Sequence, residues 1–170
     1  MKLRATVGSL LVLASGMTVS ACGSPCVTKG DQISVELIAS KNLNNTGSGA
    51  QQAPFRLWAV TKAGVFKSLG AEQLCRGKVD LVEAQNAAKA FATGGNWIAP
   101  GAKLKAVHEA EVDGAITHVA IAMMIPQAVL LMIPLDCNER DGYVKDDNTH
   151  KIRLVVGKKN VALAGDKSKE

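Results

Sequence analysis

Aromatic residues and runs of like charge are scarce in this chain of 170 residues. Three Phe, two Trp and one Tyr make up 4% of the sequence, and so few aromatics disfavour stacking platforms for nucleic-acid bases. The 20 basic and 15 acidic residues give a net charge of +5. The basic stretches at 158–159 and 167–169 are too short for a nucleic-acid-binding tail. The composition therefore predicts no nucleic-acid partner.

Motifs for catalysis and metal binding are also missing. The sequence has no Gly-x-Ser-x-Gly of serine hydrolases, and no Lys-Ser or Lys-Thr follows Gly47-Ser48-Gly49 to make a phosphate-binding loop. His108 and Glu109 do not continue into an HExxH zinc motif, because no second histidine follows at that spacing. His118 falls on a predicted strand, where a surface or edge position is expected. We therefore expect no enzymatic activity, no metal, no cofactor and no small-molecule substrate.

No apolar run is long enough for a transmembrane helix, which needs about 20 residues. The N-terminal run 5–19 is shorter and contains several Gly and Ser residues. Lys2 and Arg4 precede it, and it ends at Val19-Ser20-Ala21-Cys22. A basic start, an apolar centre and small residues at a cleavage point are typical of a secretory signal. We therefore predict a signal peptide over residues 1–21.

A cysteine at the cleavage point resembles the lipobox of bacterial lipoproteins. That resemblance implies that the Cys22 thiol is lipidated, for example with palmitate, and becomes the new N-terminus of a tether at 22–30. More than one acyl chain gives stable anchoring. Gly23 stands where Asp would be the inner-membrane retention signal, so we expect an outer-membrane anchor with the domain facing the periplasm. The alternative is a plain signal peptide that leaves Cys22 as an ordinary thiol.

Three cysteines remain if Cys22 carries lipid, namely Cys26, Cys75 and Cys137. Three thiols form at most one intramolecular disulfide and leave one over, and the periplasm permits such a bond. Cys75–Cys137 is the first choice, because Cys26 lies in the predicted tether. The alternative is that all three are free or buried. None of them shows the paired spacing of a zinc site.

Short strands separated by turns make up most of the remaining chain. Alternating or continuous apolar patterns predict strands at 31–39, 54–61, 97–98, 103–109, 115–125, 128–135, 150–156 and 160–164. Helix-forming residues predict helices at 71–75 and 79–92, within a helical insertion at about 66–93. The pattern is typical of a mainly β fold, an antiparallel β-sandwich, over residues 31–165 with 166–170 as a tail.

One predicted loop is unusually long and spans residues 40–53. It is polar, and Leu43 is its only large apolar residue. Loops of this length without internal structure are often functional. The candidate partner-binding residues in this loop are Ser40, Lys41, Asn42, Leu43, Asn44, Asn45, Thr46, Gly47, Ser48, Gly49, Ala50, Gln51, Gln52 and Ala53.

The order of these features resembles the TssJ family (also called VasD or SciN), the outer-membrane lipoproteins of type VI secretion systems. The resemblance covers most of the mature chain. It rests on the lipobox, the long loop, the strand Phe55–Val60 with Arg56 and Trp58, and the segment Ile98–Ala102 before a long strand. It implies a transthyretin-like sandwich with a small helical insertion and no enzymatic activity. It also implies that the loop 40–53 binds the periplasmic domain of TssM and so anchors the envelope-spanning assembly.

A second class of function stays open on the sequence. A periplasmic β-sandwich lipoprotein can also bind a ligand or inhibit an enzyme. Such a module would need an apolar cavity or an inserted loop.

Overall fold

The structure is a computed structural model, and it describes residues 25–44, 47, 49–76, 85–91, 93 and 96–165. The predicted signal peptide, the candidate lipidation site Cys22 and the tail 166–170 lie outside the described residues. Within the described part of the chain, no helix is long and apolar enough to cross a membrane.

Ten strands and two short helices follow one another along the described chain. The strands are β1 (Gln32–Ala39), β2 (Ala53–Val60), β3 (Ala88–Ala90), β4 (Trp97–Ile98), β5 (Lys103–Glu109), β6 (His118–Ile125), β7 (Gln127–Pro134), β8 (Tyr143–Asp146), β9 (Thr149–Val156) and β10 (Val161–Leu163). The helices α1 (Ala63–Ser68) and α2 (Ala71–Arg76) lie between β2 and β3.

The strands form two sheets that pack face to face, which confirms the predicted β-sandwich. One sheet has the order β10-β9-β1-β5, with β8 also paired to β9. The other has the order β3-β2-β6-β7, with β4 also paired to β2. The pairs are antiparallel except for β1 and β9, which run parallel from Gln32↔Thr149 to Ala39↔Val156. The apolar strand β6 lies between β2 and β7, inside its sheet.

The main core lies between the two sheets, where the alternating patterns of β1 and β2 meet. Ile33, Val35 and Leu37 point inward from β1, and Phe55 and Leu57 point inward from β2; all are at most 3% exposed. Burying each large apolar side chain in this way stabilises the fold by about 1.5–3 kcal/mol.

A smaller apolar cluster covers the outer face of the sheet that contains β2. Phe66 from α1 and Leu74 from α2 pack against Trp58 and Ala120 on that face. The Trp58 and Phe66 rings meet edge to face, with centroids 5.2 Å apart. The helical piece therefore covers this sheet, whereas the outer face of the other sheet carries mainly polar side chains.

Part of the predicted helical insertion is extended instead. Ala88–Ala90, expected within a helix at 79–92, form β3 and pair with β2. The helix prediction is therefore wrong at those residues, and residues 77–84 lie outside the described part. The alanine-rich composition favours a helix, but the backbone of β2 offers hydrogen-bond partners that decide the conformation.

Two further elements differ from the predictions. Helix α1 begins at Ala63, before the predicted helical insertion at about 66–93, and β8 lies in a stretch for which no strand is predicted. β8 has only four residues, which is too short for its pattern alone to indicate a strand. It forms because Tyr143–Asp146 pairs with the first half of β9.

The disulfide joins Cys26 to Cys137, with Cα atoms 5.4 Å apart, and Cys75 is a free, half-buried thiol. The expected Cys75–Cys137 pairing is therefore wrong. The parallel pairing of β1 with β9 brings the segment before β1 beside the segment that leads into β8 and β9. Cys75 instead lies in α2, on the outer face of the other sheet.

Residues 26–30, expected in the tether, lie against the domain. Val27 is 1% exposed and belongs to the main core. The Gly30 N–H donates to the carbonyl of Ala110 at 2.8 Å. These residues are therefore part of the described domain rather than a free tether.

Candidate partner-binding loop

The loop between β1 and β2 is tied down where it leaves the sheet. The N–H of Ser40 donates to the carbonyl of Val156 at 2.8 Å, and the carbonyl of Ser40 accepts the N–H of Gly101 at 3.1 Å. The Asn42 N–H donates to Oγ of Ser40 at 3.1 Å. The start of the loop is thus fixed to the end of β9 and to the turn before β5.

Leu43 anchors the base of the loop in the main core, where it is 0% exposed. The N–H of Gln51 donates to the carbonyl of Leu43 at 3.1 Å, and Nδ2 of Asn44 donates to the carbonyl of Gln52 at 3.2 Å. These two bonds join the outgoing arm 43–44 to the returning arm 51–52. We call this joined base the neck of the loop.

Most described residues of the loop are accessible to a partner. Leu43 and Ala53 are buried and support the loop from below, whereas Ser40 and Asn44 are half-buried. The predicted contact residues Asn45, Thr46 and Ser48 lie outside the described residues. The exposed members of the predicted set are Lys41, Asn42, Gly47, Gly49, Ala50, Gln51 and Gln52.

The loop also contains backbone conformations that suit its composition. Asn44 has a φ of 49° and Gly49 a φ of 103°. Glycine adopts positive φ without steric cost, and asparagine tolerates it better than most residues. The Asn and Gly residues that mark this stretch as a loop therefore also set its turns.

Trp97 lies beside the returning arm of the loop and was not predicted as a site residue. It is 60% exposed, and β4 places it opposite Pro54 at the start of β2. Its neighbour Ile98 is 1% exposed, so the alternation of a strand turns Trp97 outward. That alternation was the available sequence signal. An exposed Trp beside a polar loop is a residue type enriched at binding hot spots.

A buried polar network occupies the opposite end of the sandwich. Nε2 of His150 lies 3.3 Å from Oδ2 of Asp31, and Nδ1 of His150 lies 3.0 Å from the Tyr143 hydroxyl. That hydroxyl lies 3.8 Å from Sγ of Cys26. The network therefore joins the first residues of the domain to β8 and β9.

Burial and hydrogen bonding shift the pKa values in this network. Burial lowers the pKa of His150 below its ordinary value, against the opposing effect of its hydrogen bond to Asp31. Burial alone would raise the pKa of Asp31, but hydrogen bonds from Thr28 and His150 outweigh it and leave the pKa below its ordinary value. Neutral His150 and ionised Asp31 are thus the favoured forms near neutral pH. The described network is closed to solvent, which indicates a structural role.

The loop and the network lie at opposite ends of β1. The network holds Asp31, the residue before the strand, and the loop begins directly after Ala39. An eight-residue strand spans about 25 Å at about 3.3 Å per residue. The N-terminal entry of the domain and the candidate partner-binding loop are therefore separated by the length of the sandwich.

A shallow groove of about 650 Å³ runs over the outer face of the β9-β1-β5 strands. Glu36, Lys105, Lys151 and Arg153 are among its lining residues, and Nε of Arg153 lies 2.9 Å from Oε2 of Glu36. The ligand-binding alternative requires an apolar cavity. A half-open surface groove with four charged side chains in its lining does not favour it.

The remaining histidines and the free thiol lie apart from one another. His108 is on β5, His118 is at the start of β6, and Cys75 is on α2. Burial lowers the pKa of both histidines and raises that of the Cys75 thiol. Among the described residues, no three His, Cys, Asp or Glu side chains are grouped as a metal site would need.

No protein-family model matches this chain, and no curated protein matches its sequence. Its fold, however, is that of solved lipoproteins from type VI secretion systems. Lip from Serratia marcescens, a membrane-bound component of that system, superimposes with a TM-score of 0.56 at 12% identity. The superposition covers 78% of this chain and 95% of Lip.

Two further structures show the same fold. The type VI secretion lipoprotein TssJ1 from Pseudomonas aeruginosa gives a TM-score of 0.50 at 15% identity, over 78% of this chain and 94% of TssJ1. A chain of a type VI membrane complex gives 0.51 at 17% identity, over 79% of this chain and 98% of that one. These structures confirm the predicted resemblance to the TssJ family at the level of the fold.

Proposed function

We propose that this protein is an outer-membrane lipoprotein of the type VI secretion membrane complex. It is anchored through lipid on Cys22, and its loop 40–53 binds the periplasmic domain of TssM. The observation that carries the proposal is the neck of the loop. A loop that is already fixed at its base has less conformational freedom than a free chain of the same length. It therefore loses less conformational entropy when its exposed residues bind a partner.

The arrangement of the two ends supports an anchoring role. Cys26 is fixed to the domain by its disulfide, so only residues 23–25 separate it from the lipidated Cys22. Such a short segment reaches at most about 14 Å at about 3.5 Å per residue. The disulfide end of the sandwich is therefore held near the bilayer. The loop at the far end faces away from the membrane, toward a partner that spans the periplasm.

The signal peptide 1–21 and the small residues before Cys22 support export and lipidation. Gly23 supports sorting to the outer membrane. The fold shared with TssJ and Lip lipoproteins supports a role in the type VI membrane complex, as a non-enzymatic component.

Binding is tested by co-purification of the full-length protein with the periplasmic domain of TssM. Deletion of residues 45–49 leaves Leu43 and the Gln51 bond in place, so the domain should stay folded and lose most of its TssM binding. The matched control is the double variant Lys158→Ala and Lys159→Ala in the β9–β10 turn, at the same end of the sandwich. Equal TssM binding by the deletion and the control would refute the loop assignment.

The anchor is tested separately by membrane fractionation. We expect wild-type protein in the outer-membrane fraction and loss of the Cys22→Ala variant from that fraction. A Cys22→Ala protein that still reaches the outer-membrane fraction would refute the lipid anchor and leave the loop assignment untouched.

A further inference from the structure

Strand β7 forms an unusually apolar edge of its sheet. Among the described residues, it pairs along one side with β6, and no strand pairs with its other side. Residues 125–135 contain no charged side chain, and Ala128–Met132 are all half-exposed. Natural edge strands usually carry charges, prolines or bulges that prevent pairing with another chain. In β7, proline occurs only at its last residue, Pro134.

The backbone register shows which groups line this open edge. The N–H of Leu135 donates to the carbonyl of Thr117 at 2.9 Å, and the same register pairs Ile133 with Val119. In an antiparallel ladder, residues two apart direct their N–H and C=O groups to the same side. The groups of Val129, Leu131 and Ile133 therefore face β6. Those of Ala128, Leu130 and Met132 point away from it.

The open stretch has defined limits. Pro126 before β7 and Pro134 at its end have no N–H to donate. The carbonyl of Pro134 accepts a hydrogen bond from Nη2 of Arg140. The edge thus offers three donors and three acceptors, from Ala128, Leu130 and Met132, and no strand among the described residues pairs with them.

Both faces of β7 are apolar, so an added strand would extend both clusters of the domain. Val129 and Leu131 pack at the margin of the main core, and Leu130 and Met132 pack at the margin of the cluster under the helices. All four are half-exposed. A strand placed alongside would cover their exposed sides.

We propose that β7 pairs antiparallel with β7 of a second copy of this chain, across a two-fold axis at Leu130. This register sets Leu130 of one copy opposite Leu130 of the other, and Ala128 opposite Met132. It uses all three donors and three acceptors of each edge and makes six backbone hydrogen bonds. A two-fold contact requires a self-complementary surface, and a strand without charge meets no like charge when it faces itself.

The edge strand of the other sheet provides the contrast. β5 carries Lys103, Lys105 and Glu109 within its seven residues. Charged side chains of this kind keep an exposed edge from pairing. Charge pattern therefore favours self-pairing at β7 and disfavours it at β5. A contact of one short strand per copy is small, so the dimer is expected to depend on protein concentration.

The register is tested by disulfide trapping of the full-length chain in whole cells, in a Cys75→Ser background. Facing residues of a hydrogen-bonded pair have Cα atoms about 5.5 Å apart, within the range of a disulfide. We expect Leu130→Cys to give a band of twice the monomer mass on non-reducing gels, which reductant removes. Val107→Cys on β5, where the native valine is 41% exposed, should stay monomeric.

A second measurement covers the case in which Leu130→Cys disturbs packing. The Ala128 N–H points away from β6, so Ala128→Pro removes a donor that the described fold does not use. Wild-type protein in detergent should show a concentration-dependent dimer by light scattering, and Ala128→Pro should stay monomeric with an unchanged unfolding transition. Monomeric wild type at every concentration would overturn the proposal, as would a Leu130→Cys cross-link to a different protein.

Discussion

The carboxylate of Asp31 lies 3.3 Å from Nε2 of His150, across 119 positions of the sequence. Both side chains are buried, and the Tyr143 hydroxyl contacts the other ring nitrogen of His150. This interaction links Asp31, the residue before β1, to β9, the strand that runs parallel to β1. The stability of this end of the domain should depend on the protonation of His150.

We expect the free energy of unfolding to fall as the pH drops below about 6.5, the ordinary pKa of histidine. Burial lowers the pKa of His150 in the folded state, so between the folded and unfolded pKa values the unfolded chain binds more protons. The pKa of Asp31 is also lowered. The contribution of Asp31 to the free energy of unfolding is fully present above the pKa of Asp in the unfolded chain. It is lost only in more acidic solution. Urea unfolding between about pH 8 and about pH 5 measures the slope.

The control for this prediction separates His150 from the other histidines. His108 and His118 also have pKa values lowered by burial, so they contribute to the same window. His150→Asn should flatten the slope more than His118→Asn, because His150 is fully buried. The prediction fails if His150→Asn keeps the wild-type slope.

Loss of the Cys26–Cys137 disulfide should destabilise the domain by about 2–4 kcal/mol. The two cysteines are separated by 111 positions, so the bond restricts a long segment of the unfolded chain. Thermal unfolding of Cys26→Ser with and without reductant tests this. Cys75→Ser is the matched control, since Cys75 is a free thiol; its unfolding temperature should drop on reduction as the wild-type value does. Reduction should leave Cys26→Ser unchanged.

Gly142→Ala should be strongly destabilising. Gly142 has a φ of +76°, and an added Cβ would lie 2.7 Å from the Ala164 nitrogen and 2.9 Å from the Arg153 carbonyl oxygen. Backbone strain of about 1–2 kcal/mol adds to overpacking of about 1–3 kcal/mol. Gly70→Ala is the control, because Gly70 has a similar φ of +72° and nothing within 4 Å of the added Cβ. Equal unfolding free energies for the two variants would contradict the steric argument.

On the proposed function, Trp97→Ala should weaken binding to the periplasmic domain of TssM by about 2 kcal/mol or more, which is a factor of about thirty in Kd. The side chain is 60% exposed, so the unfolding transition should change little. Val144→Ala is the control, because Val144 is 45% exposed but lies near the disulfide end. Titration calorimetry on both variants distinguishes a hot spot at Trp97 from a general surface effect.

The sandwich was predictable because its strands carry strong local patterns. The alternation of Ile33, Val35 and Leu37 and the two-sided apolarity of β6 place these strands correctly. The local composition of Ala88–Ala90 predicts a helix, whereas pairing with β2 makes this segment a strand. The composition of a three-residue segment does not indicate whether a strand that is distant in sequence will pair with it.

The disulfide and the site show the same limit. The pairing of Cys26 with Cys137 follows from the parallel register of β1 with β9, which no local pattern reveals. The loop was visible from its polarity and length, but its neck depends on Leu43 entering the core and on the Gln51 bond. Trp97 joins the loop only because β4 pairs with the first residues of β2.

The parallel pairing of β1 with β9 has a consequence for how the protein acquires its structure. Glu36 on β1 pairs with Arg153 on β9, 117 positions later, so the sheet cannot close until nearly the whole chain is available. On the proposed export route, β1 crosses the inner membrane among the first strands. It cannot pair with β9 until β9 has crossed as well. Domains with such distant pairings fold slowly. We therefore expect folding to begin after translocation and to end on a chain whose first residues are already held at the membrane.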